Sequence, residues 1–151
     1  MSEVNLLDLY PNPNRDVEWR FRNLTWEKRQ VARQFGKEFF DGERLWGYGS
    51  YLYDGRWQKV VRRFRDYYGI GPSSSVLDVG CAKGFMLYDF WNIIPGIKVT
   101  GIDISSYALD KASVAVKKFL VLGNAKDLPF LDNSFDLVIS INTVHNLELE
   151  E

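Results

Sequence analysis

Polar side chains recur in the second half of the chain at the ends of short apolar runs. Asp78 lies near the end of one run, Asp103 directly follows a second, and Asn142 follows a third. Ligands of α/β proteins bind beyond the carboxyl ends of parallel strands, which open onto one edge of the sheet. If these runs are parallel strands, the three side chains line one crevice.

Small residues fill the turn that follows the first run, at Gly80, Cys81, Ala82 and Gly84. They allow a sharp turn and a close approach of the backbone to a ligand. Asp103 comes 23 positions after Gly80, close to the separation that places an acid on the ribose hydroxyls in a βαβ nucleotide unit. The alternatives are a plain tight turn and an aspartate that only caps the next helix. The small-residue turn and the aspartate at this spacing together predict an adenosine-containing ligand.

Two residues around the turn distinguish between adenosine ligands. A dinucleotide fingerprint requires a third small residue at position 85, where this chain has Phe85. Asp78 would repel a dinucleotide pyrophosphate, whereas it would favour the ammonium and sulfonium groups of S-adenosylmethionine. The alternative for Asp78 is a carboxylate bonded only to backbone N–H groups of the turn. The pattern favours S-adenosylmethionine as the cofactor.

Apolar runs alternate with helical periodicity after Pro72. This alternation predicts parallel βαβ units, and hence an α/β, Rossmann-like, doubly wound sheet with helices on both faces. Before Pro72, two stretches with helical period enclose an aromatic, glycine-rich loop. The predicted strands are 75–79, 98–102, 119–122 and 135–141, and the predicted helices are 25–40, 56–68, 85–92 and one from Ser105 or Ser106 through Val116.

Four segments of the second half resemble the motifs of class I S-adenosylmethionine-dependent methyltransferases. They occur in family order and at family spacing, and together they cover roughly residues 75–146. The resemblance implies that family's sheet, with the partial strand order 3-2-1-4. The four segments are the turn motif 76–84, the acidic motif 101–105, the loop 123–130 and the approach to the fourth strand at 132–138.

The same resemblance implies a role for each residue of the crevice. Asp78 and the turn from Gly80 to Gly84 would hold the methionine portion of the cofactor, with Asn142 close to it. Asp103 would bind the ribose.

At the adenine end, Ile104 would pack against the base and Ala125 would offer its backbone N–H. Asn124 stands where the family usually has an aspartate. We therefore expect its contact with the adenine edge to be weaker or differently oriented.

The aromatic segment 46–57 resembles, more loosely, the segment before the first motif in bacterial methyltransferases linked to surface-polysaccharide genes. That resemblance implies a lid over the cofactor, with Tyr48, Tyr51 and Arg56 as candidate residues. Arg56 would be a natural partner for the cofactor carboxylate. The alternative is that these aromatic residues are simply the core of a helical appendage.

His145 is the only histidine, and it falls just after the fourth predicted strand, near the expected methyl acceptor. A hydroxyl acceptor would benefit from a nearby base, which makes His145 the candidate catalytic residue; a structural role is the alternative. One His and one Cys offer no ligand cluster, so we expect no metal site. Cys81 has no base beside it in the motif, so we expect a buried turn residue rather than a nucleophile.

Composition places the chain among ordinary globular proteins. The net charge of −1 gives no global signal for nucleic acid or for an anionic membrane, and no apolar run is long enough to predict a membrane span. A single cysteine excludes an intrachain disulfide and fits a cytoplasmic location. We expect residues 1–70 to form a helical extension and lid, and residues 71–151 to form the N-terminal half of the cofactor-binding domain.

The chain ends at Glu151, which we expect to fall within the helix after the fourth strand. The sequence therefore predicts a methyltransferase truncated after that strand. The alternative is a stable self-association, such as a homodimer through the fourth strand, because its apolar edge invites pairing with another chain.

The expected function is methyl transfer from S-adenosylmethionine to a small-molecule or sugar hydroxyl. Two alternatives stay open on the sequence. One is a fragment that binds the cofactor, or associates with itself, without catalysis. The other is an NAD-dependent oxidoreductase or epimerase, against which Phe85 and Asp78 argue.

Overall fold

The computed structural model describes residues 3–11 and 16–147 of the chain. The strands are β1 Ser75–Val79, β2 Lys98–Asp103, β3 Leu120–Leu122 and β4 Leu137–Ile139. The helices are α1 Val17–Asn23, α2 Trp26–Ala32, α3 Lys37–Asp41, α4 Gln58–Tyr68, α5 Phe85–Ile93, α6 Ser106–Asp110 and α7 Val114–Lys117, followed by a short 3-10 helix, Val144–Asn146. In this described part of the chain, no helix is both long and apolar enough to cross a membrane.

The strands form one parallel sheet with the order β3-β2-β1-β4. β1 is an interior strand between β2 and β4, and four of its five residues are buried, as expected for a parallel sheet covered by helices. In the register, Asp78 lies level with Gly101 of β2 and with Ile139 of β4. The α/β fold, the strand order and the helical N-terminal region are confirmed.

The helix before the sheet packs on the helix that follows β1. Val60, Val61 and Phe64 of α4 are buried, and the Phe64 ring stacks on Phe90 of α5 with ring centroids 6.4 Å apart. Gly69 ends α4 in the left-handed conformation, with φ of 66°, as the sequence predicts for a C-terminal glycine. The hydrophobic core therefore runs without a break from the N-terminal region into the sheet.

The single helix predicted over 25–40 is wrong, because the structure divides it into α2 and α3. The break is centred on Phe35, whose φ of 48° is left-handed and cannot continue an α-helix. The Phe35 carbonyl accepts a hydrogen bond from the hydroxyl of Ser105. A tertiary contact therefore holds the break where the local pattern is helical.

The helix predicted from Ser105 or Ser106 through Val116 is also divided, into α6 and α7. Ser105 caps α6 by accepting a hydrogen bond from the Ala108 N–H at 3.0 Å. Ser113 interrupts the stretch with a ψ of 135° and begins α7. Serine side chains bond to nearby backbone N–H groups and favour such helix starts over helix interiors.

A buried ion pair joins the N-terminal region to the turn after β1. The Lys83 ammonium lies 2.6 and 2.7 Å from the carboxylate oxygens of Asp41 and donates to the carbonyl oxygen of Tyr51 at 2.8 Å. Tyr107 donates to the same carboxylate at 2.8 Å. Although burial raises the pKa of Asp41, the hydrogen bonds from Lys83 and Tyr107 hold it below its ordinary value.

Replacing Asp41 by Asn leaves the Lys83 ammonium, which is 4% exposed, buried without a counter-ion. Loss of one partner of a buried pair costs about 3 kcal/mol or more, so we expect the free energy of unfolding to fall by about that amount in urea titrations. Asp110→Asn is the matched control, because its pair with Lys117 is largely exposed and contributes less than about 1 kcal/mol. Equal losses in both variants would contradict a structural role for the buried pair.

Candidate cofactor site

The turn after β1 is held against the tip of β2. The N–H groups of Gly80 and Cys81 both donate to the carbonyl oxygen of Ile102, at 2.8 and 3.1 Å. Gly80 has a φ of 83°, and a Cβ at this position would lie 1.9 Å from the hydroxyl oxygen of Thr143. Only glycine therefore allows the segment after β4 to pack onto the turn.

The carboxylate of Asp103 fixes the same turn from the end of β2. One oxygen accepts the N–H of Ala82 at 2.7 Å, and the other accepts the N–H of Ser105 at 2.8 Å. Burial raises the pKa of Asp103, although these backbone hydrogen bonds oppose the rise. Since a carboxylate has about four acceptor sites, Asp103 keeps the capacity to accept hydrogen bonds from a diol.

A cavity of about 440 Å³ opens beside this turn and contains most of the predicted site. Its volume is that of a small-ligand pocket. The predicted residues that line it are Tyr48, Gly80, Ala82, Asp103, Ile104, Asn124, Ala125, Asn142 and His145.

Two side chains at the predicted adenine end have distinct environments. Ile104 lines the cavity and is 57% exposed, so an apolar surface is available for a planar base. The side-chain oxygen of Asn124 accepts the N–H of Lys126 at 3.0 Å, which closes a local turn. The amide NH₂ group of Asn124 is then the group that remains for a ligand.

A second, smaller cavity of about 40 Å³ shares Gly80, Ala82 and Asn142 with the first and extends it toward Asp78. Asp78 is 5% exposed, and the described residues donate no hydrogen bond to its carboxyl group. The alternative of a carboxylate held by N–H groups of the turn is therefore not what the structure shows. Asp78 and Asp103 therefore line two adjoining cavities, which together form the crevice.

Burial, together with the nearby negative charge of Asp103, raises the pKa of Asp78 to about 7. A buried carboxylate without hydrogen bonds destabilises the fold once it ionises. An entering cation would remove that penalty, since the charged carboxylate would gain a partner. The crevice therefore has the electrostatics of a cation site.

Two of the predicted residues, Gly84 and Arg56, line neither cavity. Gly84 begins α5 and faces the side chains of Val116 and Leu120. Arg56 lines neither cavity; its guanidinium binds Asp54, with hydrogen bonds of 2.7 to 2.9 Å. Cys81 lines the smaller cavity, and burial raises the pKa of its thiol, which disfavours a nucleophilic thiolate.

The sequence did not assign several residues that shape the crevice. Arg33, Phe35, Phe39 and Phe40 line the larger cavity, whereas the sequence placed them only within the helix predicted over 25–40. Tyr10 and Trp57 line the smaller cavity. Their aromatic character was visible in the sequence, but no spacing connects them to the turn after β1.

No group of three or more His, Cys, Asp or Glu side chains suited to a metal ion occurs among residues 3–11 and 16–147. The larger cavity has Arg33, Lys126 and His145 in its lining, while the smaller cavity has no cationic side chain. The two ends of the crevice therefore differ in polarity, and the Asp78 end is suited to a cation.

The carboxyl group of Asp78 has a pKa of about 7 in the fold and an ordinary value of 3.8. Its destabilising effect is therefore absent below about pH 4, grows as the pH rises and is complete above pH 7. Each pKa unit corresponds to about 1.4 kcal/mol, so the full effect is on the order of 4 kcal/mol at most.

We expect Asp78→Asn to raise the thermal midpoint of the ligand-free protein at pH 8 and to change it little at pH 4, measured by differential scanning calorimetry. Asp132→Asn, in the exposed loop before β4, is the control and should keep the parent's pH dependence. A lower midpoint for Asp78→Asn at pH 8 would show that the ionised carboxylate stabilises the ligand-free fold.

Comparisons with known proteins agree with this geometry. Residues 77–151 match the family described as "Methyltransferase domain". A demethylmenaquinone methyltransferase of Symbiobacterium thermophilum is 36% identical over 117 residues, which are 71% of this chain and 47% of the relative. A sterol 24-C-methyltransferase of Gibberella zeae is 33% identical over 112 residues, covering 66% of this chain and 29% of the relative.

Among solved structures, the glycopeptide N-methyltransferase MtfA complexed with sinefungin shares the fold, with a TM-score of 0.52 at 22% identity. The match covers 80% of this chain and 49% of that chain. This chain thus spans less than half the length of each of these relatives. On its motifs, its strand order and these similarities, the chain belongs to the class I S-adenosylmethionine-dependent methyltransferases.

Proposed function

We propose that this chain binds S-adenosylmethionine in the crevice at the tips of β1 and β2 and forms the cofactor half of a methyl-transfer site. The observation that supports this most directly is the pair of buried carboxylates, Asp78 and Asp103, which line two adjoining cavities. A phosphate-bearing dinucleotide would place its negative charge beside both of them. A cationic, phosphate-free nucleoside would neutralise them instead.

The residues present fit such a cofactor. The uncompensated carboxylate of Asp78 suits an ammonium group, and the spare acceptor capacity of Asp103 suits a ribose diol. Ile104 offers an apolar face to the adenine, and Ala125 and the Asn124 amide lie at the same end of the larger cavity. Because Gly80 and Ala82 are small, the cofactor can approach the backbone of the turn closely.

Bound S-adenosylmethionine supplies a methyl group activated by a sulfonium. The protein's part is then to position this group and to exclude water, which removes much of the entropic barrier to an in-line attack. Phe39, Phe40 and Tyr48 line the larger cavity from the N-terminal side. We propose that residues 1–70 act as the cover of the site, above the cofactor-binding residues of 71–151.

For the acceptor, we propose a small molecule with a hydroxyl group, which includes sugars. His145 lines the larger cavity in the 3-10 helix after β4. In this proposal an imidazole nitrogen of His145 takes the proton of the acceptor hydroxyl as the methyl group is transferred. The link to surface-polysaccharide chemistry stays a prediction.

Two further parts of the proposal concern the surroundings of the domain. Among the described residues, β4 pairs only with β1, and Val138 on this edge strand is exposed. We propose that a second copy of the chain pairs there. A reducing cytoplasm, which we propose as the compartment, suits the free and buried thiol of Cys81.

Isothermal titration calorimetry with S-adenosylhomocysteine and with NAD⁺ tests the cofactor. We expect micromolar binding of S-adenosylhomocysteine and no heat with NAD⁺. Asp103→Asn should weaken the binding at least about tenfold, because hydrogen bonds to a charged group contribute about 1.5 to 3 kcal/mol. Asp132→Asn is the control and should bind as the parent does; heat with NAD⁺ alone would overturn the proposal in favour of an oxidoreductase.

A further inference from the structure

An aspartate is buried in the interior of α5. Asp89 is 0% exposed, and so are its neighbours Leu87 and Phe90 on the same helix. The proposed cofactor contacts do not involve Asp89, since it lines neither cavity. A carboxyl group is costly to bury without hydrogen bonds, so its place on this helix requires a partner.

One hydroxyl group supplies the hydrogen bond of this carboxyl group. The hydroxyl of Tyr53 donates to Oδ1 of Asp89 at 2.6 Å, and no described residue donates to Oδ2. Burial raises the pKa of Asp89, and the hydrogen bond from Tyr53 opposes this rise. The nearby carboxylate of Asp54 raises the same pKa, and the guanidinium of Arg62 lowers it. Tyr53 is therefore the donor on which Asp89 depends.

Tyr53 attaches the loop between α3 and α4, residues 42–57, to α5. Its ring packs edge-on against the rings of Phe85 and Tyr88, with centroids 5.7 and 5.1 Å apart. Its hydroxyl also accepts a hydrogen bond from the side-chain amide of Gln58 at 3.2 Å. Tyr53 is 42% exposed, so it can leave this position without disturbing the core.

The same attachment supports a wall of the smaller cavity. Tyr51 lines that cavity, and its ring packs on Phe85 with centroids 4.8 Å apart. Phe85 is thus in contact with the rings of both Tyr51 and Tyr53. Holding Tyr53 on α5 therefore restrains Phe85 and, through it, the ring of Tyr51.

The loop has two attachments of different strength. The backbone N–H and carbonyl of Tyr51 both bond to the buried ion pair of Asp41 and Lys83. The second attachment is the hydroxyl of Tyr53, which lies near the surface. Parts of a protein held by few, solvent-accessible contacts open at a lower free energy than parts held in the core. The Tyr53 attachment should therefore open first.

Resting on the function proposed above, we propose that Asp89 is a positioning residue, which acts through Tyr53 to hold the loop 42–57 closed against α5. Release of the Tyr53–Asp89 hydrogen bond is then the step that opens the smaller cavity and lets the cofactor enter and leave. Neither residue lines a cavity, so the bond stabilises the closed state equally with and without the cofactor. It therefore sets the rates of cofactor exchange more than the affinity.

The test measures the association and dissociation rate constants of S-adenosylhomocysteine by stopped-flow tryptophan fluorescence, since Trp57 lines the smaller cavity. Tyr53→Phe removes the hydroxyl and keeps the ring. Asp89→Leu removes the acceptor with a side chain of similar size, whereas Asp89→Asn keeps an acceptor oxygen. Tyr67→Phe is the matched control, because Tyr67 is an exposed tyrosine of α4 that lines neither cavity.

Because opening limits exchange in both directions, we expect Tyr53→Phe and Asp89→Leu each to raise both rate constants about tenfold, as for the loss of one hydrogen bond. Their ratio, Kd, should stay within about threefold of the parent value. The double variant should match either single variant, because all three lose the same bond. Asp89→Asn should stay close to the parent, and Tyr67→Phe should equal it. A variant that is only less folded would bind with a smaller amplitude and would not exchange the ligand faster in both directions.

Hydrogen–deuterium exchange of the ligand-free protein measures the closure directly. We expect the backbone amides of residues 50–57 to exchange about tenfold faster in Tyr53→Phe than in the parent, because the loop opens more often. The amides of β1 and β2 should exchange at the parent's rate, and Tyr67→Phe should leave both regions unchanged.

Three results would overturn the role of Asp89 while the cofactor assignment stands. They are unchanged rate constants in Tyr53→Phe, a change in the dissociation rate constant alone, and unchanged amide exchange in the loop. If the parent binds no S-adenosylhomocysteine, the proposed function fails. The amide exchange then still decides whether the Tyr53–Asp89 bond holds the loop closed.

Discussion

The ammonium of Lys83 is the constraint on which the shape of the crevice depends. Lys83 lies in the turn after β1, and its side chain is buried in the protein interior. A buried charge requires a partner. Asp41 from α3 supplies the charge, and the carbonyl of Tyr51 supplies a further acceptor. The Tyr51 N–H donates back to Asp41 at 3.2 Å. Satisfying this ammonium thus brings the N-terminal region over the cofactor turn.

The aromatic lining of the smaller cavity follows from that attachment. Once Asp41 and Tyr51 are fixed, the loop between α3 and α4 places its rings beside the tip of β1. The Tyr51 ring then packs on Phe85, the first residue of α5, with centroids 4.8 Å apart. Phe85 is the residue whose bulk departs from the dinucleotide fingerprint. Phe85 therefore both argues against a dinucleotide and packs against the N-terminal region that we propose as the cover of the site.

The sequence predicted the sheet, but it did not predict how the N-terminal region packs against the turn after β1. The strands and the positions of Asp78 and Asp103 follow from apolar runs and motif spacing, because such patterns are local, and the strand order follows from the family resemblance. The break at Phe35 depends on a hydrogen bond from Ser105, which is distant in sequence. No sequence pattern pairs Lys83 with Asp41, and none predicts that Asp54 binds the guanidinium of Arg56.

The buried carboxylates make the ligand-free crevice electrostatically unfavourable, and this favours the binding of a cation. Asp78 and Asp103 are both buried and lie near each other, so the ionised carboxylate of Asp103 makes ionisation of Asp78 more costly. Part of the binding free energy of a cation is then the removal of that cost. Backbone N–H groups offset part of that cost at Asp103, whereas Asp78 accepts no such hydrogen bond. In the proposed function the two carboxylates therefore have different parts: Asp103 accepts hydrogen bonds from hydroxyls, and Asp78 binds the cation.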